Sequence, residues 1–65
     1  MKNRILELRK EKRITQEELA ELCQVTRQTI ISLENGRYNP SIFLAYKIAK
    51  TFNLSIEQVF IFEEE

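Results

Sequence analysis

Thr15 and Thr26 lie eleven residues apart, and each has the features of a helix start. Only a few residues separate the two helices that begin there. The run Thr15-Gln16-Glu17-Glu18 has the form of a capping box, in which the threonine hydroxyl and the glutamate carboxylate each accept an unpaired backbone N–H. Thr26 is a second N-cap, and Asn35-Gly36 ends its helix because glycine readily adopts the left-handed conformation found there. The sequence therefore predicts two short helices joined by a tight turn, a helix-turn-helix over about residues 16–35.

Three further helices are predicted around this pair. The first covers about residues 2–12 and the fourth about residues 41–52. A second capping box at Ser55 begins a terminal turn over residues 56–60. No segment alternates like a half-buried strand, except that the four apolar residues 59–62 could form a short edge strand. We therefore predict an all-α fold, a compact five-helix domain with a possible short C-terminal strand.

The spacing of apolar residues also predicts which side chains face the interior, because positions three and four apart share one face of a helix. The predicted inward positions, helix by helix, are Ile5 and Leu8; Leu19, Ala20 and Cys23; Ile30 and Leu33; and Leu44, Ala45, Ile48, Ala49 and Phe52.

The length of 65 residues allows one small domain and no second one. A hydrophobic fraction of 43% is close to the globular norm, so we expect a folded chain. Cys23 is the only cysteine and the sequence has no histidine or aspartate, so we expect no internal disulfide, no metal site and no cofactor. General acid–base catalysis needs histidine or tuned carboxylates, which excludes most enzyme classes.

The longest apolar run, residues 42–46, is far shorter than the ~20 residues of a membrane span, so we expect a cytoplasmic, nucleoid-associated protein without membrane contact.

The charges are unevenly distributed, although the formal net charge is zero. Residues 1–13 carry six cations against two glutamates, and residues 35–50 carry three cations and no acid. The other glutamates lie in the middle of the chain and at its end. A neutral chain of this kind can still present one basic face, which is what the phosphates of a nucleic acid require.

The outward face of the third helix has the chemistry of a surface that reads bases. At ~100° per residue, Ile30, Leu33 and Thr29 point inward, and the opposite side carries Arg27, Gln28, Ile31 and Ser32. Arginine pairs with guanine, glutamine with adenine, serine with either, and methyl groups contact thymine. An ordinary solvated face is the alternative, although such a face more usually carries Glu or Lys than an isoleucine.

Three blocks of sequence carry a family resemblance: QEELA at residues 16–20, VTRQTI at 25–30 and LENGRYNPS at 33–41. In this order they resemble the phage-repressor and Cro type of helix-turn-helix regulator, the XRE family, in its short single-domain form. The resemblance covers about residues 3–60. It implies a five-helix bundle that binds operator DNA as a dimer and usually represses transcription.

The resemblance also implies roles for individual residues. Base edges would be contacted from the third helix by Arg27, Gln28, Ile31 and Ser32. Phosphates would be contacted by Gln16, Thr26, Asn35, Arg37, Tyr38 and Asn39. Arg9 and Glu34 would form a partly buried ion pair that fixes the recognition helix.

The chain departs from the family pattern at three positions. Gln24 stands where the turn usually has glycine, so it must adopt a left-handed conformation at some cost. Leu22 replaces a residue that is often charged, and Phe43 replaces one that is commonly polar. Phe43 could pack on a deoxyribose, against a partner subunit, or on the surface of its own chain, and the sequence leaves these alternatives open.

The apolar C-terminal segment, residues 56–62, is the predicted dimer interface. A domain this small has little room to bury Val59, Phe60, Ile61 and Phe62 together with Phe52. A second copy meeting this segment would place two recognition helices about 34 Å apart, over an inverted-repeat operator.

These expectations describe a sequence-specific DNA-binding regulator, a repressor that acts as a homodimer on double-stranded DNA without a small-molecule effector. The alternative is an antitoxin-like or anti-repressor protein-interaction module in which DNA binding is secondary. The zero net charge and the acidic tail, Glu63 to Glu65, leave this alternative open.

Overall fold

Four of the five helices begin at a side-chain cap. The computed structural model describes residues 1–62, so the acidic tail at 63–65 lies outside the described residues. The helices are α1 (Ile5–Lys12), α2 (Gln16–Cys23), α3 (Arg27–Glu34), α4 (Ile42–Thr51) and α5 (Ile56–Val59). The hydroxyls that accept a backbone N–H from the first turn of α2 to α5 belong to Thr15, Thr26, Ser41 and Ser55. The predicted all-α fold with five helices is confirmed.

The first helix begins at Ile5, three residues later than predicted, because the preceding residues bond to the other end of the chain. Backbone hydrogen bonds of 2.8 and 2.9 Å join residues 2–4 to residues 59–61. The two segments run antiparallel and share one β-bridge, between Asn3 and Phe60. Within residues 1–62, the possible C-terminal strand is therefore reduced to a single bridge.

The hydrophobic core draws side chains from all five helices. Every apolar position that the sequence places on an inward face is buried, whereas Thr29, which was also placed inward, is half-buried. Val59 and Phe60 complete the cluster. Ile14, Val25, Leu54 and Ile56 pack against its margin. The helical period of the apolar residues therefore predicts the core correctly, apart from the contribution of the C-terminal segment.

The turn between α2 and α3 holds a non-glycine residue in the left-handed region. Gln24 has φ 60° and ψ 41°, so the conformation expected from the missing glycine is confirmed. This conformation costs an ordinary residue roughly 1–2 kcal/mol. The side-chain carbonyl of Gln24 accepts a hydrogen bond of 3.0 Å from Lys47 Nζ on α4, which ties the turn to that helix.

The prediction that Val59 and Phe60 belong to a dimer interface is wrong. Their exposed fractions are 0% and 1% within the single chain, so both belong to its core and offer almost no surface to a second copy. α5 packs against α4, and its Val59 with the following Phe60 completes the core that the other four helices begin. Ile61 and Phe62 follow Phe60 and are 43% and 58% exposed. The candidate interface is therefore limited to the last part of the predicted segment.

Among the described residues, no helix combines the length and the apolar character needed to span a bilayer.

Candidate nucleic-acid interface

The third helix presents one face to the core and the opposite face to solvent. Ile30 and Leu33 are fully buried and fix the rotation of α3 about its axis. Arg27 and Gln28 on the opposite side are exposed, and Ile31 with Ser32 is half-buried at the edge of the same surface. The structure therefore brings together the four residues predicted to face base edges, on a helix whose orientation is set by packing.

The start of α3 is held by Thr26, one of the residues predicted to contact a phosphate. Its hydroxyl accepts the backbone N–H of Thr29 at 3.2 Å and lies 3.0 Å from the Thr29 hydroxyl. The side chain of Thr26 is exposed at the same time. Thr26 therefore caps the helix and also lies on its outer surface. Its contact with a phosphate remains a prediction.

The end of α3 is held by an ion pair to α1. Arg9 Nε donates to Glu34 Oε2 at 2.7 Å, and the two side chains are only 13% and 6% exposed. Arg9 Nη1 also donates to the Ile14 carbonyl at 3.1 Å. The ion pair that the family resemblance implies is thus present, and it joins α3 to α1 and to the turn before α2.

A third side chain in this network was not predicted from the sequence. Gln16 Nε2 donates to Glu34 Oε1 at 2.9 Å, so Glu34 bonds to α2 as well as to α1. Eighteen residues separate the two partners, and no local pattern signals such a contact. One amide N–H of Gln16 is therefore already used, which leaves its second amide N–H and its backbone N–H for the predicted phosphate contact.

The segment that follows α3 is exposed and polar. Gly36 has φ +73°, and a Cβ at this position would stand 3.3 Å from the Met1 carbonyl oxygen, so a larger residue would be strained here. The residues predicted to contact phosphates in this segment, Asn35, Arg37, Tyr38 and Asn39, are all exposed. They lie beside the end of α3, as the family resemblance implies.

Asn3 is a further positioning residue that sequence reasoning missed. Its Nδ2 donates to the Leu33 carbonyl at 2.8 Å, at the end of α3. Its Oδ1 accepts the Ile5 N–H at 3.1 Å, at the start of α1. One asparagine thus connects the first turn of one helix to the last turn of another.

Cys23 is a free thiol buried in the core. Burial raises the pKa of the Cys23 thiol, so this group stays protonated at neutral pH and is a poor nucleophile. The Thr51 hydroxyl oxygen lies 4.0 Å from its sulfur. Within residues 1–62, no group of three or more His, Cys, Asp or Glu side chains could hold a metal ion.

Comparisons with known proteins agree with this arrangement. The helix-turn-helix family matches residues 5–59. An uncharacterized HTH-type transcriptional regulator of Archaeoglobus fulgidus is 57% identical over 65 residues, which are all of this chain and 92% of that protein. A more distant relative, the competence pilus inhibition repressor of Acinetobacter baylyi, is 42% identical over 88% of this chain and 52% of its own length.

The fold is also similar to that of a solved structure. The restriction-modification controller protein C.AhdI from Aeromonas hydrophila superposes with a TM-score of 0.78 at 31% identity, over 85% of this chain and 83% of that protein. The similarity therefore covers sequence and fold alike.

Proposed function

Since this chain belongs to the helix-turn-helix family of DNA-binding transcriptional regulators, which are not enzymes, we propose that it is a repressor that binds a specific operator through α3. The observation that carries the proposal is the outward face of α3, where Arg27, Gln28, Ile31 and Ser32 stand on a helix locked by buried side chains. Arginine and glutamine offer bidentate hydrogen bonds to guanine and adenine, and isoleucine offers methyl contact to thymine.

The flanking residues are proposed to bind the DNA backbone and to set the register of α3 on the duplex. On one side these are Gln16 and Thr26, at the starts of α2 and α3. On the other side they are Asn35, Arg37, Tyr38 and Asn39. Contacts of this kind supply most of the affinity and make it steeply dependent on salt, while contacts to base edges supply the preference for one sequence.

Replacing Gln28 with alanine is expected to relax the preference at one base-pair position of each half-site, by about 1–3 kcal/mol. The reason is that the bidentate pair between an amide and adenine is lost while the helix stays in place. Competition binding against a panel of operators with single base changes measures this effect.

Arg37→Ala is the matched control, because losing a phosphate contact weakens binding to all members of the panel by a similar factor. The role assigned to Gln28 is refuted if its alanine variant keeps the wild-type order of preference across the panel.

We also propose that the protein binds DNA as a homodimer and that Ile61 and Phe62 form part of the interface. These two apolar side chains are exposed, and Phe62 lines an apolar cavity of about 220 Å³ together with Ile42, Ala45 and Phe60. Exposed apolar surface of this kind marks interaction sites on small soluble domains. A twofold dimer would place two copies of α3 about one helical turn of DNA apart, so the operator would be an inverted repeat.

The double variant Ile61→Ser with Phe62→Ser is expected to sediment as a monomer at micromolar concentrations at which the wild type is a dimer. The control is Leu22→Ser, which removes a similarly exposed apolar side chain from α2 and should leave the dimer intact. A double variant that remains dimeric would show that the interface lies elsewhere, for example at Phe43, which is 78% exposed and is therefore not covered by its own chain.

The experiment that tests the proposed function is selection of bound duplexes from a random DNA pool at two salt concentrations. Enrichment of an inverted repeat supports sequence-specific binding by a dimer, and its half-site identifies the bases that α3 contacts. Binding that is sensitive to salt but enriches no sequence would contradict the proposal and favour a role in protein interaction.

A further inference from the structure

We propose that the cleft between the end of α1 and the start of α2 binds a backbone phosphate of DNA, with Lys10 and Arg13 as its ligands. This proposal rests on the proposed function and adds to it, since neither residue is among those to which the family resemblance assigns a DNA contact. We call this feature the α1–α2 cleft. It has a volume of about 640 Å³ and is lined by Arg9, Lys10, Arg13, Gln16, Glu17 and Arg27, among others.

The positive charge of the α1–α2 cleft is largely uncompensated. Lys10, Arg13 and Arg27 form no ion pair with any acidic side chain in residues 1–62, whereas Arg9 is paired with Glu34. Glu17 is the one acidic side chain that lines the cleft. Three available cations therefore face one carboxylate, which leaves an excess of positive charge for an anionic ligand.

The two proposed ligands sit on one well-defined turn. Arg13 ends α1 with φ 58° and ψ 40°, and its N–H bonds to the Lys10 carbonyl at 3.1 Å. The next residue is held as well, because the Ile14 N–H bonds to the Arg9 carbonyl at 3.1 Å. The backbone that carries both cations is therefore fixed before any ligand binds.

The position of the cleft indicates which anion it takes. Arg27 lines the cleft and is also the first residue of the face of α3 that we propose reads bases. Gln16, which we propose binds a phosphate, lines it too. A ligand that contacts both surfaces must be an extended polyanion, and duplex DNA carries one charge per about 1.7 Å of its axis. The occupant is thus a phosphate next to the bases that α3 contacts.

The test compares the salt dependence of operator binding between variants. Each phosphate neutralised contributes about 0.9 to the slope of log affinity against log salt. Lys10→Gln combined with Arg13→Gln, which removes both ligands of this one phosphate, is therefore expected to reduce this slope by about 0.9. Between 50 and 200 mM salt, the double variant should lose about 3.5-fold less affinity than the wild type loses. Its order of preference among operator variants should not change.

The matched control is Lys12→Gln combined with Lys50→Gln, which removes the same charge from exposed positions outside the lining of the cleft. It should keep the wild-type slope, because neither lysine lines the cleft or belongs to the residues that we propose bind phosphates. Glu17→Gln should have the opposite effect and strengthen binding, since it removes the opposing carboxylate. Thermal unfolding of each variant separates loss of binding from loss of fold. If the double variant is unstable, Lys10→Gln alone serves, with a smaller expected change of slope because Arg13 still faces the same phosphate.

The outcomes separate the two proposals. A wild-type protein that selects no DNA sequence contradicts the proposed function itself. A wild type that binds its operator while the Lys10 and Arg13 double variant keeps the same slope as the control contradicts only the phosphate site in the α1–α2 cleft.

Discussion

Replacing Arg9 with alanine is expected to lower the free energy of unfolding by about 3–5 kcal/mol, because it leaves a buried carboxylate without its charged partner. Glu34 is 6% exposed, and after the substitution its only remaining hydrogen-bond donor in the described chain is Gln16. For a domain of this size the loss corresponds to a fall of at least about 12 °C in Tm. Thermal and chemical unfolding both measure it.

The control is Glu7→Gln, which breaks the exposed ion pair between Arg4 and Glu7 and should change stability by less than about 1 kcal/mol. A second check replaces both buried partners, Arg9→Met with Glu34→Leu, and should recover much of the lost stability because no unpaired charge is left. Similar losses for Arg9→Ala and for the Glu7 variant would contradict the assigned role. DNA binding must be measured under conditions in which the variant is folded, since α3 depends on this pair for its position.

Replacing Phe60 with alanine is expected to destabilise the single chain by about 3–5 kcal/mol, the usual effect of removing a fully buried aromatic ring. Phe62, two residues later, is exposed, and its alanine variant should stay within about 0.5 kcal/mol of the wild type. Chemical denaturation at a concentration where both variants are monomeric measures the difference.

This pair of substitutions separates the core from the surface within one short segment. The interpretation requires a large effect at Phe60 and a small one at Phe62. The C-terminal segment would not close the core in the way described if Phe60→Ala left the free energy of unfolding of the monomer unchanged. The same would hold if Phe62→Ala lowered it by as much as Phe60→Ala.

The helices could be predicted from the sequence because their signals are local. A capping hydroxyl and its N–H partner lie three residues apart, as at Thr15 and Glu18. The apolar residues that mark the buried face of a helix recur every three or four positions within that one helix. The left-handed conformation of Gln24 could be predicted because the family resemblance puts this residue where the turn usually has glycine. The helical angle placed the candidate base-contacting residues on one face of α3, and the family resemblance implied the same residues and the pair between Arg9 and Glu34.

The contacts that could not be predicted join residues far apart in the sequence. The bonds from Gln16 to Glu34 and from Asn3 to the Leu33 carbonyl have no local signature. The C-terminal segment was misjudged for a related reason. Four apolar residues in a row have no period, so the sequence does not tell which of them the core accepts and which remain exposed. Backbone bonds from residues 59–61 to residues 2–4 settle this in the folded chain.

The core-facing and outward-facing residues of α3 lie on opposite sides of the helix, and this affects how the sequence of such a protein can evolve. Ile30 and Leu33 hold the helix in the core, and Arg27 and Gln28, which we propose contact bases, lie on the opposite, exposed side. Arg27 and Gln28 can be exchanged without opening a cavity, since neither is buried. A new target sequence is therefore accessible through a few substitutions that leave the fold intact, which makes this small domain a suitable scaffold for evolving or engineering altered DNA specificity.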